Sequence, residues 1–140
     1  MKILVAVDGS RFTKRMLAYL AAHDEWLGAH HDYTLLTVAP TLPGRATRVL
    51  DEGVVRQYYE EESEKVFKPI RSFLERQGIA ARYVSRVGSP AELIVRQAAS
   101  GRFDLLMMGS HGHGNLTGLV LGSVTTKVIA HCRTPLLLVR

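Results

Sequence analysis

The sequence predicts an α/β fold: a doubly wound, five-stranded parallel sheet in the order 3-2-1-4-5, with helices on both faces. Three observations predict it. Short apolar runs of strand length alternate with longer segments of helical periodicity, about 28 residues per strand–helix unit in a chain of 140. The first run, KILVAV, is apolar throughout rather than alternating, as expected of a central strand buried on both faces. Right-handed crossovers with a single reversal of winding then leave strands 1 and 4 as neighbours at the switch point. The length suits one domain with a respectable core.

Residues 2–7 form the first strand, which ends in the turn-forming Asp8-Gly9-Ser10. Ser10 is placed as the N-cap of a helix over residues 11–29, where Phe12, Met16, Leu17, Leu20 and Ala21 recur at helical spacing. Residues 33–38 (YTLLTV) are the second strand, stopped by Ala39-Pro40. Residues 40–48 read as a loop. A long helix over 49–77 follows, with Val55, Tyr58, Tyr59, Val66, Ile70, Phe73 and Leu74 inward and Pro69 kinking or dividing it. Its run of acids at 60–62 and 64 points around the helix, so it forms a solvated face and not a metal site.

Gly78 stops that helix, and residues 80–87 are the third strand. Ser89, Pro90 and Glu92 signal the next helix as N-cap, first helical residue and capping-box partner, and Gly101 ends it. Residues 104–108 are strand four, residues 123–132 the last helix, and residues 135–140, from Pro135 to Arg140, strand five. That strand lies at the sheet edge, and its Leu136-Leu137-Leu138-Val139 core carries no charge, proline or bulge signal to blunt it. Pairing with the same strand of a second copy, as a homodimer, is the simplest solution.

Between strand four and the last helix, residues 109–122 hold five glycines: Gly109, Gly112, Gly114, Gly118 and Gly122. A strand, a glycine loop and a helix start are the arrangement that holds a phosphate. Glycines let backbone N–H groups approach an anion, and the first helical turn has unpaired donors and a partial positive charge. Ser123 can cap the helix or donate to a phosphate oxygen. Asp8, after strand 1, faces the same crevice as Gly109, after strand 4.

Gly109-x2-Gly112-x9-Gly122-Ser123 resembles the pattern carried by the ATP-binding branch of the universal stress protein family. The resemblance extends over the opening KILVAVDGS, a middle VGSPAELI, DLLMMGSHG, and the closing GSVTTKVIAHCRTPLLLVR. It implies an adenine nucleotide alpha hydrolase-like fold with a nucleotide across strands 1, 2 and 4. Asp8 would then contact the nucleoside, Ala6 and Val7 would line its pocket, and the backbone of Val38 would bond the adenine edge. Met108, Gly109, Ser110, His111, Gly112, Gly114 and Asn115 would surround ribose and phosphates, and Ser123, Val124 and Thr125 would hold the phosphates. The implied ligand is ATP, ADP or AMP, with Mg2+ as an accompanying ion, and the implied role is a nucleotide-responsive stress module. Family members dimerise through the last strand.

No lysine of a GxxxxGK[ST] pattern is available for the terminal phosphates, and Asp8 alone cannot both hold magnesium and activate water. Hydrolysis is therefore expected to be slow or absent; a slow ATPase or an AMP or cyclic AMP sensor is the alternative. The loop residues His111 and His113 are of a type that donates to phosphate or acts as a base. The net charge of +5 comes entirely from residues 78–140, which carry seven basic and two acidic side chains. That field favours an anionic ligand. Nucleic acid is disfavoured as a partner, because no basic run, RNA-binding aromatic signature or helix-turn-helix pattern is present. The single Cys132 makes neither an internal disulfide nor a zinc site. No membrane-spanning run or signal peptide is recognisable, so a cytoplasmic location is expected.

Overall fold

A computed structural model describes residues 1–114 and 120–140 of the chain. Five parallel strands, β1 (Lys2–Ala6), β2 (Asp32–Ala39), β3 (Ala81–Val87), β4 (Leu105–Gly109) and β5 (Leu136–Val139), form one sheet in the order β3-β2-β1-β4-β5. This is the predicted order, with β1 and β4 adjacent where the winding reverses.

Alternate residues of the central strands feed two separate cores, as the pleat requires. Ile3 and Val5 of β1, Tyr33 and Leu35 of β2 and Met107 of β4 face helices α1 (Arg11–Ala22) and α4 (Glu52–Arg76). There they meet Met16, Leu17, Leu20, Phe67, Ile70 and Leu74. Leu4, Leu36, Leu106 and Met108 face the other way, toward α5 (Pro90–Ser100) and α6 (Ser123–His131), and meet Ala91, Ile94, Ala98 and Val128.

Several local expectations are corrected. The helix expected over 11–29 breaks at His23, where φ −125° and ψ 48° leave helical space, and resumes as the short α2 (Asp24–Leu27). The His23 ring Nδ1 donates to the Tyr19 carbonyl at 2.8 Å, closing the end of α1 with a side chain. The loop expected over 40–48 contains a short helix, α3 (Gly44–Val49), none of whose residues is buried. Pro69 does not divide α4, which runs unbroken for 25 residues. Pro69 is exposed, so the carbonyl its missing N–H leaves unpaired can be met by solvent. The inward face of α4 begins only at Val66, which packs half-buried on the first core beside the buried Phe67, and Tyr58 stays exposed.

The caps also differ. Ser10 and Ser89 occupy N-cap positions without any side-chain capping bond, so the box with Glu92 does not close. The N-cap of α6 is Gly122, which makes Ser123 its first helical residue. Gly101 has an ordinary φ of −80°, and it is Arg102 that takes a left-handed φ of 52°. Glycine is needed at 101 for room, because a Cβ there would lie 2.3 Å from the Phe103 ring.

Tyr33 ties the α2 end to the first core. It is 1% exposed, and its hydroxyl donates to the carbonyls of Leu27 and Gly28. Burial pushes its pKa from 10.0 up to about 12. The unfolded chain therefore releases this proton before the folded one does, and stability should fall as pH rises from 10 through about 12. Urea unfolding at a series of alkaline pH values should show that decline in the wild type. Tyr33→Phe should flatten it and lower stability by about 1–3 kcal/mol, since two carbonyls lose their donor.

Candidate functional site

Ala6 at the end of β1 pairs with Leu36 and with Met108, so β1 and β4 stop within a residue of each other while β2 runs on three residues to Ala39 and carries Val38 up beside them. Above them lies a cleft of about 320 Å3, roofed by the N-termini of α5 and α6. Its position is the switch point, where open α/β sheets bind ligands.

Toward β2 and α5 the lining is apolar: Leu36, Val38, Pro40, Pro90 and Ile94. Toward the β4–α6 loop it is glycine backbone and small polar groups, from Gly109, Gly112, Gly114, Gly122, Ser123 and Thr125, with Met108 and Val124. Ala6, Val7 and Asp8 form the floor between the two. An apolar wall beside a cradle of N–H groups suits a ligand with an apolar end and an anionic end.

Asp8 is fixed by its own turn. Its Oδ1 accepts from the Ser10 N–H at 2.9 Å and the Thr13 hydroxyl at 3.1 Å. Thr13 Oγ1 in turn accepts from the Asp8 N–H at 3.1 Å. Oδ2 is turned toward Gly112, where an added Cβ would stand 2.8 Å from it. Among the described residues Asp8 is the one carboxylate lining the cleft.

The glycine loop is tied down at several points. The Ser110 N–H donates to the Val139 carbonyl at 2.9 Å, and the Gly122 N–H to the Ser110 carbonyl at 2.9 Å. Thr125 Oγ1 donates to the Gly109 carbonyl at 3.1 Å. The His111 ring donates from Nε2 to the Val120 carbonyl, and its Nδ1 pairs with the Ser110 hydroxyl at 2.9 Å. His113 Nε2 donates to the Asp8 carbonyl at 2.6 Å, joining two loops 105 residues apart in sequence. Besides Gly112, two more loop glycines stand where a Cβ would crowd its neighbours: at Gly109 it would lie 2.7 Å from Phe12 Cβ, and at Gly122 3.2 Å from His111 Cα. Among the described residues no protein acceptor takes the N–H groups of Gly112, Ser123, Val124 or Thr125.

Of the residues singled out in the sequence, all those described line this cleft except Ser110. Ser110 is buried and works as a tether under the loop. Asn115 lies outside the described residues. Sequence reasoning missed Thr13, Leu36, Pro40, Pro90 and Ile94, and named His111 but not His113 among the residues around the ligand, although both line the cleft. Pro90 had a signal, a strongly marked helix start, but nothing in spacing alone brings that helix and its Ile94 over the cleft.

A sequence profile of the universal stress protein family matches residues 1–140. The chain belongs to the universal stress protein family. A universal stress protein of Thermus aquaticus is 32% identical over 139 residues, covering 99% of this chain and 97% of the relative. Universal stress protein MJ0577 of Methanocaldococcus jannaschii is 36% identical over 89 residues, covering 64% of this chain and 55% of its own. The chain spans about half the length of several curated relatives it matches.

The solved structure of MJ0577 superimposes with a TM-score of 0.82 at 32% identity, covering 99% of this chain and 94% of that one. Two more distant universal stress protein structures share the fold. One, in complex with cAMP, has a TM-score of 0.65 at 19% identity and covers 100% and 96% of the two chains. The other, from Arabidopsis thaliana with AMP bound, has a TM-score of 0.70 at 16% identity and covers 99% and 90%.

Proposed function

We propose that this universal stress protein binds an adenine nucleotide, with ATP the ligand that best fits its loop, and acts as a nucleotide-responsive module. The observation that carries this reading is the convergence, on one end of the cleft, of backbone donors that have no protein acceptor among the described residues. Gly112 on one side and Ser123, Val124 and Thr125 on the other frame the same space as the Asp8 carboxylate. The cAMP and AMP bound in two proteins of the same fold support the choice of adenine.

In this reading the base lies against the apolar wall beside Ala6 and Val38, with the Val38 backbone on its edge. Asp8 and Val7 meet the nucleoside. Met108, Gly109, His111, Gly112, Gly114 and Asn115 surround ribose and phosphates, over the tether made by Ser110. Gly122, Ser123, Val124 and Thr125 hold the phosphates at the helix start, where donors and dipole act together. Mg2+ would accompany the nucleotide, with Asp8 as the one carboxylate lining the cleft among the described residues. A single carboxylate cannot serve both the metal and an attacking water, so hydrolysis is slow or absent. The protein works in the cytoplasm in this account.

Calorimetric titration tests it: ATP should bind saturably and more tightly than GTP. Mass spectrometry of the purified protein should find a retained adenine nucleotide. Failure of every adenine nucleotide to bind would overturn the reading.

The homodimer belongs to the same proposal. β5 is an edge strand, and its Pro135 and Val139 carbonyls already serve β4. Strand alternation turns the Leu138 N–H outward, toward a second copy. Leu138→Pro removes that donor, so sedimentation should show a dimer in the wild type and a weakened one in the variant.

A further inference from the structure

The first turns of α1 carry Arg11, Lys14 and Arg15, all exposed, and no acid in the first turn. Helix N-termini favour acids, because their dipole and free N–H groups repel cations. Three cations there violate that preference, and such a violation is expected where a site requires it. The two ion pairs among the described residues both lie on α4, so neither explains the arrangement.

What these cations adjoin is more specific. The Arg11 and Arg15 guanidinium carbons sit 5.1 Å and 5.2 Å from the centroid of the Phe12 ring. The same ring lies 4.9 Å from the His111 ring, and His111 lines the cleft beside the glycine loop. Phe12 also packs against Gly109 closely enough that a Cβ there would clash. Phe12 is buried, so it seats two flexible guanidinium groups one ring away from His111, outside the cleft lining itself. Asp8, the carboxylate in the cleft, makes no ion pair with either arginine among the described residues, and its Oδ1 is taken by Ser10 and Thr13.

We infer that Arg11 and Arg15 form a subsite for the distal phosphates of a nucleoside triphosphate, so that the cleft selects a triphosphate over a monophosphate. This rests on the nucleotide reading of the cleft. The glycine loop and the α6 N-terminus hold the phosphate nearest the nucleoside, which every nucleotide has. A longer phosphate chain leaving that cradle past His111 reaches the two guanidinium groups, whose planar forks suit phosphate oxygens. Lys14 adds field on the same turn.

Calorimetry with ATP and with AMP on four proteins tests this. The wild type should prefer ATP, and that preference should fall about tenfold in Arg11→Gln/Arg15→Gln. Arg11→Lys/Arg15→Lys should keep part of it. Arg82→Gln/Arg86→Gln removes the same net charge from exposed β3 positions and should leave the ratio unchanged. An ATP-to-AMP ratio equal in the wild type and the Arg11→Gln/Arg15→Gln protein would overturn the subsite, as would an equal fall in the β3 variant. Wild-type protein that binds neither nucleotide would instead overturn the cleft reading on which the subsite stands.

Discussion

Gly112→Val should abolish adenine-nucleotide binding and leave the fold intact. A Cβ at this position would come within 2.8 Å of Asp8 Oδ2, so even one methyl displaces the carboxylate. The valine branches then fill space over the phosphate end of the cleft, and the Gly112 N–H can no longer be approached closely. The position is a loop on the cleft lining, outside both cores, so unfolding should change little. Affinity for ATP should fall at least about a hundredfold, which is about 3 kcal/mol. Gly122→Val should act similarly through the backbone, since its Cβ would press on His111 Cα at 3.2 Å and the Ser110 carbonyl oxygen at 3.4 Å. Gly44→Ala, at an exposed position outside the cleft lining, meets nothing within 4 Å and serves as the control that should still bind. Circular dichroism on all three separates lost binding from lost structure.

The largest effect on stability is expected from Leu106→Ala. Leu106 is fully buried in β4, with β1 on one side and β5 on the other. Its side chain belongs to the core formed by Leu4, Leu36, Ile94 and Val128, the contact surface between the sheet and the α5–α6 layer. Removing it forfeits the transfer energy of the lost atoms and leaves a cavity, together about 2–5 kcal/mol. For a chain of this size that lowers the melting temperature by roughly 10 °C. Met108, two residues on, lines the cleft from the same strand face, so nucleotide binding should weaken only as the fold does. Chemical denaturation checks the first number, and binding well below the melting temperature checks the second.

The central strands were legible because they are buried on both faces. KILVAV and YTLLTV need no partner information to be recognised, and the alternation with helices fixes the sheet's direction. The site was legible for a related reason: Asp8 and Gly109 sit at strand ends that only one topology brings together. The α4 face was misread because the helix outgrows the sheet. At 25 residues it is about 37 Å long, whereas the eight residues of β2 span about 26 Å. Its first turns overhang the strands, and Tyr58 has correct spacing but no sheet beneath it. The break at His23 was hidden because it depends on a ring nitrogen reaching the Tyr19 carbonyl, which no apolar pattern records. Pro90 was read correctly as the first residue of a helix, the one that also carries Ile94. Their place on the cleft wall follows from how α5 packs on β2 and α6, a tertiary relation absent from local sequence.

The account turns on whether the N–H groups of Gly112, Ser123, Val124 and Thr125 receive the phosphates. Amide proton and nitrogen shifts during an ATP titration report on those groups directly. The account predicts saturable shifts at these four amides, with smaller changes along the α1–α4 face of the sheet. Saturable ATP binding that leaves all four amides unmoved would contradict it.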